Sequence, residues 1–306
     1  MKKVGYIYDP VYLKHDTGEN HPENYRRLIS IQEHIKPLID NLILIKPRKA
    51  TAQDITMVHD TYYPQEIMDL CSGGGTYLDP DTVCSTGSYE AAVYAAGAGL
   101  EAVDKIKEGT VDRVFCAVRP PGHHAEEAKA MGFCIFNNIA ITARYAQKQG
   151  YHKVFIIDFD AHHGNGTQRI FYEDDTVFYF STHQYPFYPG TGSADEKGKG
   201  KGYGFTYNVP LPAWTGDAVY EDVYSTTVPS LINKFNPDII LVSAGYDLHR
   251  DDPLTNLMVS TEGIGKIVEY IIKSSNRPFL FMLEGGYNLE ALGESVKLTI
   301  EKMLTV

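Results

Sequence analysis

Cysteine is scarce in this sequence: Cys71, Cys84, Cys116 and Cys134 are the whole set, and no two of them form a CxxC pair. That leaves no small secreted disulfide framework, so all four are expected as reduced thiols, with Cys116 inside an apolar core run. Long apolar runs are also missing. The stretch Val4–Tyr8 stops at Asp9-Pro10, too short for a signal peptide or a membrane span, and a cytoplasmic location is expected. Basic residues are in the minority, 28 Lys plus Arg against 39 Asp plus Glu, for a net charge of −11. This argues against a nucleic-acid surface and favours a cationic ligand over an anionic one. Repeats and linkers are absent. The one biased tract, Gly198-Lys199-Gly200-Lys201-Gly202, lacks the Gly-Lys-Ser/Thr and the following helix of a phosphate loop. With 43% hydrophobic and 22% charged residues, the 306 residues suit one globular domain spanning 1–306.

What is present is a rhythm. Val4–Tyr8, Leu42–Ile45, Arg113–Val118, Lys153–Asp158, Thr176–Ser181, Asp238–Ser243 and Phe279–Leu283 are strand candidates, the last five mostly apolar without polar alternation. Strands of that kind are buried on both faces. Helical patterns at Ser88–Lys107, Asn137–Gln149, Asp217–Lys234, Thr261–Lys273 and Leu289–Leu304 mostly separate or follow them. The result is a βαβ order and a largely parallel, doubly covered α/β sheet. Tyr77–Ser85 is expected as surface loop, and the pattern-free segment 183–208 as a long functional loop or lid.

Ligands of open α/β sheets bind beyond the carboxyl ends of the strands, so those ends can be inspected for chemistry. Five of them finish in polar, glycine-flanked segments. They are Arg119-Pro-Pro-Gly-His123-His124, Asp158-Phe-Asp160-Ala-His162-His163-Gly-Asn165, His183, Gly245-Tyr246-Asp247 and Glu284-Gly-Gly-Tyr287. In an extended chain Asp158, Asp160 and His162 share one face, with Phe159 and Ala161 on the other. Asp160, His162 and Asp247 would supply the two carboxylates and one imidazole that a catalytic zinc takes, with one position open for water. His123 and His124 would act as general base and acid, and Tyr287 as donor to a developing oxyanion. Asp158 and Asn165 could then stand behind imidazoles and set their tautomers. The charges after Asp247 are expected in a solvated turn, and the other histidines, His163 included, in structural roles.

The motifs Arg119-Pro-Pro-Gly-His-His-Ala125, Asp158-Phe-Asp-Ala-His-His-Gly-Asn-Gly166, Tyr188-Pro-Gly-Thr-Gly192, Ser243-Ala-Gly-Tyr-Asp247 and Leu283-Glu-Gly-Gly-Tyr-Asn288 together resemble the zinc-dependent histone deacetylase family, which also contains acetylpolyamine amidohydrolases and acetoin-utilisation proteins. The resemblance implies the single-domain arginase/deacetylase fold, α/β with a mainly parallel sheet of about eight strands and helices on both faces. It implies Asp160, His162 and Asp247 as ligands of Zn2+, or alternatively Fe2+, with His124 as general base and acid and His123 as its electrostatic neighbour. By the same likeness Asp158 partners His123 and Asn165 partners His124. Asn at 165, His21-Pro-Glu23 and Asp251-Asp-Pro-Leu254 look like the class II branch. Phe133 and Phe187 or Tyr188 resemble aromatic walls of an acyl-lysine channel, and a structural K+ is implied at Asp158, Asp160, His162 and Ser181.

The expected function is therefore metal-dependent removal of acetyl or other short acyl groups from Nε-acyl-lysine in a peptide or protein, without nucleic-acid or membrane partners. Rivals are an acetylpolyamine or other small-amide deacylase, a non-catalytic acyl-lysine binder, and an arginase-like two-metal enzyme. The last is disfavoured because no second ligand set follows Asp160.

Overall fold

In a computed structural model that describes residues 2–306, the apolar runs become strands β1 (Val4–Ile7), β2 (Ile43–Ile45), β3 (Thr76–Tyr77), β4 (Val83–Cys84), β5 (Arg113–Cys116), β6 (Val154–Asp158), β7 (Val177–Gln184), β8 (Thr206–Leu211), β9 (Ile239–Ala244) and β10 (Phe279–Leu283). Eight of them form one sheet in the order β2-β1-β5-β10-β9-β6-β7-β8, every pair parallel. The order is not the chain order. Strand β5 is followed in sequence by β6, yet β10 and β9 lie between them, so four chain segments far apart in sequence end side by side at one sheet edge.

The helices are α1 (Arg26–Ile35), α2 (Ala52–Ile55), α3 (Tyr63–Ser72), α4 (Ser88–Lys107), α5 (Asn138–Lys148), α6 (Asn165–Ile170), α7 (Asp217–Asp222), α8 (Val228–Phe235), α9 (Thr261–Lys273) and α10 (Leu289–Thr305). Helices α1, α10, α9 and α7 pack in sequence as one layer, while α4 packs on α5 and the two lie against the central strands. The central strands are dry: all of Phe279-Leu280-Phe281-Met282-Leu283 is buried. Each such side chain contributes about 1.5–3 kcal/mol relative to exposure, which makes these strands a stiff base for whatever follows them.

Four expectations are corrected. The segment 183–208 is not all loop, because β7 runs on to Gln184 and β8 begins at Thr206. Strand β8 escapes a pattern search because it is an edge strand pairing only with β7, half-buried and carrying Pro210, which an edge tolerates. The turn-rich 77–85 stretch holds the antiparallel β3–β4 pair. The helix over 217–234 is continuous but widens into a π-turn at Val223–Thr227, just before Pro229, which has no N–H to donate. Finally, Cys71 and Cys84 are not thiols but a disulfide, with Cα atoms 5.4 Å apart. Helix α3 and the hairpin bring together two cysteines that sequence spacing does not mark, and only Cys116 and Cys134 are free, both buried. Among the described residues no helix is long and apolar enough to cross a membrane.

Candidate active site

At the carboxyl edge of the sheet the segment after β6 leaves its strand with Phe159 and Ala161 in the core and Asp158, Asp160 and His162 toward the edge. The Nδ1 of His162 lies 2.9 Å from Asp247 Oδ2 and 3.1 Å from Asp160 Oδ1. Donor atoms of these three buried residues lie within 4.8 Å of one another. Backbone N–H groups hold the carboxylates in place: Gly285 donates to Asp160 Oδ2 (2.9 Å), His162 to Asp160 Oδ1 (2.8 Å) and Ala161 to Asp247 Oδ1 (2.8 Å). This explains two of the strand-end glycines. A Cβ on Gly245 would meet Asp160 Oδ2 at 1.9 Å, and one on Gly285 would meet Asp247 Oδ2 at 2.3 Å.

Two carboxylates and one imidazole, buried and convergent, carry excess negative charge that a divalent cation balances. They are also the donor set that zinc accepts with one coordination position left open. The residues present therefore fit the metal that the sequence motifs imply.

Beside this group stand two imidazoles with different partners. His123 places Nδ1 at 3.0 Å from Asp158 Oδ2, which also accepts from the Tyr179 hydroxyl at 3.1 Å. His124 places Nδ1 at 2.8 Å from the amide oxygen of Asn165. The rings are 4.0 Å apart, and His124 is 6.1 Å from His162. Their charges separate accordingly. Burial opposes protonation of His123, but the carboxylates of Asp158, Asp160 and Glu284 outweigh it and push the pKa up to about 10. Burial, then the neighbouring His123 and His162, hold His124 well below the ordinary histidine range. The carboxylates thus favour the charged form of His123, and burial beside two imidazoles favours the neutral form of His124.

Tyr287 follows β10, its ring 5.1 Å from the Arg27 guanidinium carbon and 5.8 Å from Phe133. Burial, then the Asp247 charge, raise its phenol well above the usual value, so it stays a hydrogen-bond donor. The three aromatics named from sequence all adjoin the polar group. Phe187 stacks on His162 at 5.6 Å, Tyr188 stands edge-on to His124 at 5.2 Å, and Phe133 bridges Tyr287 and His21. Asp158 and Ser181 are register partners across β6 and β7, and the Ser181 hydroxyl binds His183 Nδ1 at 2.8 Å. Both ring nitrogens of His163 are occupied, by Thr191 (2.7 Å) and Gln168 (3.0 Å), which leaves it no free valence for chemistry.

Sequence reasoning missed the layer underneath. Glu23, fully buried, is held by Arg119 Nε at 2.6 Å and Arg27 at 3.1 Å. Arg27 also donates to the backbone oxygens of Gly286 (2.7 Å) and Glu284 (2.5 Å), anchoring the turn that carries Tyr287. The Glu284 carboxylate accepts from the N–H groups of Gly122 (2.6 Å) and His123 (3.2 Å) and from Ser243 (2.9 Å), tying three strand ends together. Asp252, expected in a solvated turn, is buried and accepts the Tyr287 N–H at 2.7 Å. The available signals were the Glu23–Arg27 spacing of four and an arginine, Arg119, closing an apolar strand.

Residues 21–303 match the histone deacetylase domain. The chain belongs to the histone deacetylase family. It is 37% identical over 295 residues to the protein named "Probable deacetylase" of Archaeoglobus fulgidus, covering 94% of this chain and 82% of that one. To histone deacetylase 14, chloroplastic, of Arabidopsis thaliana it is 40% identical, over 91% of this chain and 71% of that one. The crystal structure of the HDA15 HD domain superposes with a TM-score of 0.95 at 35% identity, covering 99% of this chain and 88% of that one. The eight-stranded parallel sheet is thus the arginase/deacetylase fold, in one domain over the chain, and membership in the histone deacetylase family makes the protein a deacetylase-type hydrolase.

Proposed function

We propose that this protein hydrolyses the amide of Nε-acetyl-lysine, or of lysine carrying another short acyl group, in peptides or proteins. The observation that carries the reading is the convergence of Asp160, His162 and Asp247 beside a neutral His124 whose Nδ1 is already engaged by Asn165. Asp160, His162 and Asp247 would hold the zinc, which when bound supplies Lewis-acid polarisation of a carbonyl and acidification of a water. His124 Nε2 takes the proton of the attacking water as its oxygen bonds to the acyl carbon. The Tyr287 hydroxyl donates to the oxygen on which charge develops. His124 then returns the proton to the amine nitrogen as the C–N bond breaks, leaving acetate and a free amine. His123, cationic against Asp158, supports the negative charge without moving a proton. Phe133, Phe187 and Tyr188 line the approach, where aromatic walls suit an aliphatic lysine stem. Asp158, Asp160, His162 and Ser181 would hold a structural K+.

A second reading is favoured by one observation. The Asp79 carboxylate accepts from the N–H groups of Asp81 (3.1 Å) and Thr82 (2.7 Å), and the Thr82 hydroxyl accepts from the Phe133 N–H (3.0 Å), so two aspartates stand near an aromatic wall where a cationic tail would find partners. An acetylated polyamine has such a tail. Turnover of a panel of acyl-lysine peptides against acetylated polyamines, on enzyme of defined metal content, separates the two. Higher kcat/KM on the peptides supports the lysine reading, and higher kcat/KM on the polyamines replaces it.

A further inference from the structure

The amide of Asn165 has two ends that are alike in shape but not in chemistry, since one accepts a hydrogen bond and the other donates. Its Oδ1 faces His124 Nδ1 at 2.8 Å, while its Nδ2 faces Glu126 Oε1 at 3.0 Å, with His124 O and Met131 Sδ each at 3.4 Å. Every group around Nδ2 is an acceptor, and Glu126 is the nearest and the one carrying full charge. The Glu126 N–H donates to Lys129 O at 2.9 Å, and its other carboxylate oxygen lies 3.7 Å from the exposed Arg169 guanidinium, which pairs more closely with Glu127 (2.8 Å). A carboxylate can only accept, so the NH2 end must point toward Glu126 and the oxygen end toward His124.

We infer that Glu126 is a positioning residue for the deacetylation reaction, acting through Asn165 to set the tautomer of His124. The oriented amide oxygen requires a proton on Nδ1, which leaves Nε2 unprotonated and able to accept from water. The same contact accounts for asparagine at 165. An aspartate there would set two carboxylates at hydrogen-bond distance, where like charges repel strongly. Negative charge supplied directly behind His123 by Asp158 is supplied behind His124 from one residue further back, through a neutral amide. The inference rests on the role proposed for His124.

The test uses purified zinc-loaded full chain and an acetyl-lysine peptide. Glu126→Ala frees the amide to turn over, and is expected to lower kcat about tenfold with KM, zinc content and Tm little changed. Asn165→Asp loses more, and Asn165→Asp combined with Glu126→Gln regains activity over Asn165→Asp alone, since the introduced amide can donate to the new carboxylate. Side-chain 15N NMR is independent of turnover: His124 carries its proton on Nδ1 in the native protein and as a mixture in Glu126→Ala. The inference is overturned by a Glu126→Ala enzyme with native kcat and His124 tautomer, or by a double variant no more active than Asn165→Asp. A native tautomer pattern as described with no hydrolysis of any acyl-lysine would instead overturn the proposed function, while leaving the control of the His124 tautomer by Glu126 through Asn165 supported.

Discussion

Gly285 donates its backbone N–H to Asp160 Oδ2 at 2.9 Å, joining the ends of two strands 125 positions apart in the chain. The geometry leaves no room for a side chain on either neighbouring turn, because the carboxylates lie against the backbone at Gly245 and Gly285. Gly245→Ala is therefore expected to displace Asp160 rather than unfold the sheet. Zinc affinity, measured by chelator competition, should fall by about 10- to 100-fold, the range seen when support behind a metal ligand is lost. Native affinity in this variant would remove Asp160 from the ligand set.

Replacements at the site should separate holding the metal from moving protons. His124→Ala is expected to lose about 10²–10⁴ in kcat with zinc retained. Tyr287→Phe should lose about 10²–10³, again with zinc retained. Asp247→Ala should lose the zinc itself. Metal analysis beside steady-state kinetics reads all three, and a Tyr287→Phe enzyme as fast as the native one would strip the phenol of its role.

Below the site, Glu23 links Arg27 and Arg119 without access to water. Burial alone would raise its pKa, but Arg119 and then Arg27 bring it down to about 2. A depressed carboxylate pKa means that its stabilisation is complete above the unfolded value, near 4.5, and is lost as pH falls toward 2. Denaturant unfolding should show this loss between those limits, and Glu23→Gln should flatten it. Glu23→Ala, which strands two buried guanidinium groups, should cost about 3–5 kcal/mol.

The disulfide predicts a thiol count. Under denaturing conditions without reductant, only Cys116 and Cys134 should react with a thiol reagent, and all four cysteines after reduction. Closing a loop of this length should stabilise the fold by about 3 kcal/mol. Cys84→Ser should lower Tm accordingly, and four reactive thiols without reductant would show that the bond does not form.

Much of this architecture is legible in the sequence because doubly buried strands must be apolar along their length. Runs such as Phe279–Leu283 therefore cannot be mistaken for exposed sheet, and the polar segments that end them stand out by contrast. Asp160, His162, Asp247, His123, His124 and Tyr287 come from different strand ends, yet the parallel arrangement brings them to one edge. What escaped notice depends on pairings that no local pattern records. Strand β8 has one neighbour and a proline. Glu23 meets Arg119 across 96 positions, Cys71 meets Cys84 through a hairpin, and Asp252 is buried by the Tyr287 turn although its sequence neighbours Arg250 and Asp251 are exposed. Glu126 is one of two adjacent glutamates in a loop, and only the direction of the Asn165 amide gives it meaning.

The most direct test of the central claim is acetate release from an acetyl-lysine peptide by the full chain, with zinc content measured on the same sample. Stoichiometric zinc is expected, with acetate and free lysine formed in equal amounts and that release lost in His124→Ala at unchanged zinc. Near-native release by His124→Ala, or stoichiometric zinc with no release from any acyl-lysine peptide, would contradict it.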